Sequence, residues 1–320
     1  MKKILFAVMA VAALASCSKE QTVNVDKGEA ISFDNAFVEN ATRATDLTTA
    51  NLQDFGVYGT VAKDGNTALI FNNTKVYEGD NGFEYDVHQY WIADANYTFT
   101  AIAPQTGAKW SYNPATTTLS FDNEAAAAEQ DVLFAYAAKA TDTELTAENT
   151  QPVAFTFKHI LSKIAFKFEN TFDDGNTSLK VYNVKIKNTA KKGTMLVDDG
   201  EDQDWTAVTD NNDLLVAFGE AAADNVALFD NGESFTVAHQ YVIPVTRTYN
   251  ITFSVDLYQA GAYLATYNHE IEKTINFAKN GNYSLNVTLA PATVNPDTQL
   301  YPIEFTVNNV NGWNPADVAL

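Results

Sequence analysis

Tyr97-Thr98-Phe99-Thr100-Ala101-Ile102-Ala103, stopped by Pro104, sets the pattern for most of the chain. Apolar and polar side chains alternate, and β-branched and aromatic residues fill the run, as a half-buried pleated strand requires. The same period of two recurs in Phe55 to Val61, Leu133 to Ala138, Val153 to Phe157, Ile164 to Phe168 and Leu179 to Ile186. It returns in Phe235 to Val245, Tyr249 to Tyr258, Tyr263 to Ile271 and Tyr283 to Leu289. Turn chemistry separates the runs at Asp64-Gly65-Asn66, Asp80-Asn81-Gly82, Asp173-Asp174-Gly175-Asn176, Asn231-Gly232 and Asn280-Gly281-Asn282. A helix is expected only over Asn123 to Asp131, with its four alanines. Short, regularly spaced strands without alternating helices predict an all-β chain of antiparallel β-sandwiches. The least patterned stretch, Thr141 to Gln151 before Pro152, divides it into domains over 44–150 and 151–320.

Composition narrows the function. The chain has 320 residues, 40 acidic against 20 basic, and a net charge of −20. Such a surface repels a phosphate backbone, so nucleic acid is excluded as a partner. With 46% hydrophobic and 12% aromatic residues the chain has ample core material, and one cysteine permits neither an internal disulfide nor a thiolate zinc site.

The amino terminus reads as an export signal over 1–16. Lys2 and Lys3 precede eleven apolar residues, Ile4 to Leu14, too few to span about 30 Å of hydrocarbon. Leu14-Ala15-Ser16-Cys17 then matches a bacterial lipobox, which makes Cys17 a lipidation site and a membrane anchor. Residues 17–43 form a lipidated propeptide: a polar tether to Glu29, then a short strand pattern in which Ile31, Phe33 and Phe37 are the apolar candidates. Arg43, the sole arginine before Arg247, follows among small polar residues that a protease can enter, and Arg43-Ala44 is the expected cut. The net charge from Ala44 onward is still −20.

Catalytic chemistry has little support. His88, His159, His239 and His269 share no metal-binding spacing, and His159, between apolar neighbours, reads as a core or turn histidine. Nucleophile elbow, phosphate loop and dinucleotide fingerprint are all missing, no cofactor is implied, and an enzyme is not expected. Asp198, Asp199, Glu201, Asp202 and Asp204 could offer oxygen ligands to calcium, but without EF-hand spacing they read first as a solvated hairpin loop. Trp91, Trp110, Trp205 and Trp313 are too dispersed to make a sugar platform.

Taken in order, several short stretches resemble the Bacteroidales fimbrillin family, the subunits of type V pili. They are the lipobox, Tyr90-Trp91 with Tyr97 to Pro104, Asp131-Val132-Leu133-Phe134-Ala135, Phe157-Lys158-His159-Ile160-Leu161-Ser162-Lys163-Ile164, and Asn280-Gly281-Asn282-Tyr283-Ser284-Leu285. The resemblance implies two transthyretin-like sandwiches in tandem, an outer-membrane lipoprotein precursor, and cleavage by an arginine-specific protease at Arg43. Removing the strand near Ile31 to Val38 would open a sheet edge that a strand from another subunit can fill, giving a cell-surface fimbrium built as a homopolymer. The donor candidate is the tail over 300–320, with Tyr301, Ile303, Phe305 and Val307 on one face. The same residues also suit the last strand of the second sandwich. Rival readings are an anchor subunit, a tip adhesin for host glycan or protein, and a glycan-binding surface lipoprotein.

Overall fold

The computed structural model describes residues 28–38, 47–80, 82–107, 109–123, 131–198, 201–202, 204–209, 215–217, 227–295, 303 and 305–309. Cys17, Arg43, Ala44, Asp199, Tyr301 and the expected helix (at 124–130) lie outside them. Strands make up nearly all the regular structure. In chain order they are β1 (Phe33–Val38), β2 (Asp54–Lys63), β3 (Asn66–Gly79), β4 (Gly82–Glu84), β5 (Asn96–Ala103), β6 (Trp110–Asn113) and β7 (Thr118–Asp122). Then come β8 (Leu133–Ala140), β9 (Val153–His159), β10 (Ser162–Asn170), β11 (Thr177–Lys187), β12 (Lys192–Asp198), β13 (Glu201–Asp202), β14 (Thr206–Thr209) and β15 (Leu215–Ala217). The last are β16 (Ser234–Thr236), β17 (Gln240–Val242), β18 (Thr246–Gln259), β19 (Ala262–Asn276), β20 (Asn282–Leu289), one helical turn α1 (Pro291–Val294), and β21 (Phe305–Asn309). Among the described residues no helix is long and apolar enough to cross a membrane.

Local chemistry sets the hairpins. Asp64 and Gly65 both take positive φ between the paired ends Lys63 and Asn66, so a two-residue turn matches the twist of the long β2–β3 ribbon. Ala260 and Gly261 do the same between Gln259 and Ala262 at the tip of β18–β19. Where the sequence predicts one strand over Phe235 to Val245, two short ones form. Both pair with β10, but Thr236 to Gln240 spans four steps opposite the three from Lys167 to Ile164. One surplus residue breaks the ladder at Val237-Ala238-His239.

The strands β1-β4-β3-β2-β5-β8-β9 close into a barrel. Closure requires one parallel pairing, β1 on β9, and a second parallel pair, β10 on β20, lies in the next sheet. These two ladders depart from the wholly antiparallel expectation. The barrel is filled by one aromatic-rich core, and Gly59 belongs to it by necessity, since a Cβ there would come within 2.7 Å of Phe71. A second core, with Phe166, Phe168, Phe253 and Phe305, lies between the sheet β16-β10-β20-β21 and the sheet β15-β11-β18-β19. A third contains Trp110, Phe121, Ile160, Met195 and Trp205. The sheet that frames it pairs β7 with β12, strands from either side of residue 150.

Candidate functional site: the first strand and its groove

β1 is an internal stave of the barrel, with β4 on one side and β9 on the other. Ile31, Phe33, Ala36 and Val38 are buried. The Phe33 ring is central: it stacks on Phe155 at 5.7 Å and meets Phe71, Tyr85 and Phe99 edge-on at 5.5, 5.5 and 6.1 Å. Aromatic pairs in this geometry are attractive beyond their area alone. Phe37, expected among the apolar set, is 54% exposed. The reason is a register shift. Asp34 to Phe37 spans three steps opposite the two from Ala154 to Thr156, so β1 carries one residue more than β9. After that bulge the inward phase passes to Ala36 and Val38.

The approach to β1 is hydrogen-bonded on both sides. The Ile31 amide donates to the Gln89 carbonyl at 2.8 Å, the Trp91 amide to Glu29 O at 3.0 Å, and the Val153 amide to Ser32 O at 2.8 Å. The buried Tyr85 hydroxyl donates to Ile31 O at 2.6 Å and accepts from the Gln89 amide at 3.1 Å. Burial raises the Tyr85 phenol above its ordinary pKa, with a smaller push from Tyr90 against a lowering backbone bond, so it stays a neutral donor. At the far end the Val38 amide donates to Thr49 Oγ1 at 2.9 Å. Downstream of Arg43, the Leu47 amide donates to Asp131 Oδ2 at 3.3 Å. The same oxygen lies 2.9 Å from Nδ1 of His159, and both side chains are buried. Both flanks of the Arg43 segment are therefore tied to the barrel.

Sequence reading did not single out Asp131, Tyr85 or Thr49. Asp131 and His159 each stood within a quoted motif, but their pairing is a long-range contact that no spacing reveals. The core reading of His159 agrees with its burial.

The tail forms an edge strand of the second core. β21 pairs antiparallel with β20, Phe305 opposite Val287, and the buried Phe305 ring lies 6.0 Å from Phe166 and 6.5 Å from Phe253. Ile303 is buried, Val307 half-buried, and Thr306 and Asn308 exposed, a strict period of two. In the acidic stretch Asp198 pairs with Glu201 across a tight hairpin, and Asp204 is exposed, 3.9 Å from Lys279. Among the described residues no group of three His, Cys, Asp or Glu side chains is placed to hold a metal. Trp91 is buried in the barrel core and Trp110 and Trp205 in the third core, so the three offer no exposed platform.

Comparison with known proteins agrees with this arrangement. No curated protein sequence matches the chain. A fimbrial protein from Bacteroides vulgatus has a similar fold, with a TM-score of 0.58 at 18% identity over 90% of this chain and all of the other. A candidate cell adhesion protein from Bacteroides uniformis gives 0.51 at 16% identity, over 88% of this chain and 98% of its own. The family model described as Fimbrillin-like matches residues 42–309. That span takes in most of the barrel and all of the second core, so the chain belongs to the fimbrillin-like family, whose members are fimbrial and adhesion proteins rather than enzymes.

Proposed function

We propose that this fimbrial protein is a structural pilus subunit: a lipoprotein anchored through Cys17, cut between Arg43 and Ala44 by an arginine-specific protease, and polymerised by strand exchange. The observation that carries the reading is the position of β1. An internal stave with Phe33 buried among four aromatic rings has its covalent link to the rest of the barrel through the segment containing Arg43. Cutting there leaves β1 held by noncovalent contacts alone. Its departure exposes an apolar groove and unpaired amides at Trp91 and Val153, a template for an extended strand. Head-to-tail donation does not close, and so makes a filament. The net charge of −20 resists sideways association of such filaments.

We further infer two tandem β-sandwich domains, 44–150 and 151–320, with β9 from the start of the second span completing the barrel of the first. A shared device supports this. Tyr97 at the start of β5 accepts the Ile92 amide, and Tyr283 at the start of β20 accepts the Ala278 amide, each from five residues upstream. Tyr249, near the start of β18, is bonded differently: its hydroxyl donates to Val245 O.

Amino-terminal sequencing of native protein tests the maturation: a chain beginning at Ala44 is expected. A mature chain beginning at lipidated Cys17 would instead mark an anchor subunit or a binding lipoprotein. Arg43→Ala is expected to abolish polymer on the cell surface, and normal polymer from that variant would overturn the reading.

A further inference from the structure

We propose that a cleft on the outer face of the barrel, walled by Tyr58, Tyr112 and Tyr136, binds one uncharged sugar ring. Strand phase builds it. β2 turns Phe55, Val57 and Val61 into the barrel core, so Tyr58 and Thr60 fall on the outer face. By the same alternation β5 places Thr98 and Thr100 there, and β8 places Tyr136. Register then sets two rows side by side. Thr100 lies opposite Tyr58 on one flank and Tyr136 on the other, and Thr60 lies opposite both Thr98 and Leu69. The β6–β7 hairpin covers one end of this face. Its Tyr112 ring sits 4.7 Å from that of Tyr58, its Tyr112 hydroxyl lies 3.4 Å from Thr100 Oγ1, and Pro114 at its tip lines the same cleft. None of the lining residues belongs to β1 or β21, so the site stands apart from strand exchange.

Two features mark a binding site rather than a seam between sheets. Not one of the described residues that line the cleft is charged, in a chain with 40 acidic and 20 basic residues. The other feature is Tyr58 itself. It is only 8% exposed, yet its hydroxyl has no hydrogen-bond partner among the described residues. Buried polar groups are nearly always bonded, so a phenol left open on a cleft wall has a donor and an acceptor to offer a ligand. Burial raises the pKa of Tyr58 and of Tyr112, with smaller pushes from the neighbouring phenols, and both remain neutral.

The chemistry of the walls selects the ligand. Aromatic and aliphatic surface beside threonine and tyrosine hydroxyls fits a molecule that is apolar on one face and hydroxylated at its edge. An anion would meet no cation in the cleft and would be repelled by a chain of net charge −20. A quaternary ammonium needs open ring faces around it, whereas Tyr58 and Tyr112 are packed against each other. The cleft holds about 240 Å³. That is below the range of about 300–1,000 Å³ for drug-sized ligands, so it takes a single ring rather than a chain of them.

The test titrates full-length uncut protein with methyl β-D-galactoside, methyl α-D-mannoside and methyl N-acetyl-β-D-glucosaminide by ligand-observed NMR. N-acetylneuraminic acid and tetramethylammonium serve as charged counterparts. At least one neutral glycoside should bind with a Kd of about 1 mM, and both charged probes should bind at least about tenfold more weakly. Tyr58→Phe should weaken that binding about tenfold with an unchanged Tm, because the hydroxyl has no bond within the protein to lose. Leu69→Glu puts a charge at a rim position that is 45% exposed, and should also weaken binding about tenfold without disturbing either core. If no neutral glycoside binds in the millimolar range, or if either variant binds it as well as the unaltered protein, the cleft is not a sugar site. A charged probe that binds more tightly than every neutral glycoside overturns the assignment as well.

Discussion

β1 and β21 carry the same Ile-x-Phe opening and bury it in different ways. Ile31 and Phe33 lie in a stave with neighbours on both sides, within a cage of four aromatic rings. Phe305 opens an edge strand with Ile303 buried just ahead of it, and among the described residues that strand has one neighbour and the Phe305 ring two aromatic contacts. Sequence alternation is thus blind to how many ladders a strand will join. It also misses the point that matters for the proposed assembly: the strand with two ladder neighbours is the one before the proposed cleavage site. Contacts alone do not make β1 permanent, because its covalent link runs through Arg43, whereas β21 stays joined to its own core through α1.

Substitution of the two phenylalanines tests this contrast most directly. In uncut protein Phe33→Ala should cost about 3–5 kcal/mol, the range for a large core side chain whose cavity cannot collapse. Phe305→Ala should cost about 3 kcal/mol or less, since an edge strand can shift to close the gap. Chemical denaturation of the two variants measures both. Equal losses would show that β21 is packed as rigidly as a barrel stave.

The pair Asp131–His159 sharpens the comparison next. It ties Leu47, on the downstream side of Arg43, to the barrel, so it should hold the new amino terminus whether or not β1 is present. Asp131→Asn removes the charge opposite His159 and is expected to destabilise uncut protein by about 1–3 kcal/mol. Amide exchange should rise at Leu47 to Leu52 before it rises in β8. A uniform rise across the barrel would mean that the pair serves the core generally.

How much of this was legible follows from the same particulars. β5 was readable because Tyr97, Phe99, Ala101 and Ala103 alternate without a break and all point inward. β3 was not, since Asn72-Asn73-Thr74-Lys75 interrupts the apolar alternation and only Phe71 and Val76 in the strand are buried. Of the apolar candidates near the first strand, Ile31 and Phe33 are buried and Phe37 is exposed, because a one-residue bulge leaves no mark in composition. Barrel closure was out of reach for a different reason. It depends on β1 joining β9 about 120 residues later, and period-two patterning carries no information about partner or direction. The acidic hairpin was legible in outline, since Asp198 and Glu201 do face each other across a turn.

Tyr85→Phe should have a smaller effect than the losses above. The ring remains in the Phe33 cage, but its hydroxyl no longer caps Ile31 O or receives the Gln89 amide. The expected cost is about 1–2 kcal/mol, and it should fall on β1 alone, seen as faster release of the strand after cutting. A variant equally slow to release β1 would show that the aromatic cage, not the hydrogen bond, sets the hold.

The gentlest probe is pH, and it acts on the other strand. His269 is buried and stacked at 4.8 Å on Phe253, the ring that Phe305 packs against. Burial lowers its pKa below the ordinary histidine value, partly offset by a bond with the Val294 backbone. The unfolded chain therefore binds a proton more readily than the folded one. Stability from this group is complete above about pH 6.5, the unfolded value, and is lost as pH falls through the interval between the two pKa values. Mild acid should accordingly loosen the seat of β21 while the Phe33 cage, where the ring contacts are to phenylalanines and a neutral tyrosine, holds β1 as before. Amide exchange at Phe305 to Asn309 should rise below that pH, and His269→Phe should abolish the rise. If exchange in β1 accelerates in parallel and His269→Phe changes nothing, the two strands respond to the charge of the whole molecule and the distinction between their seats does not extend to pH.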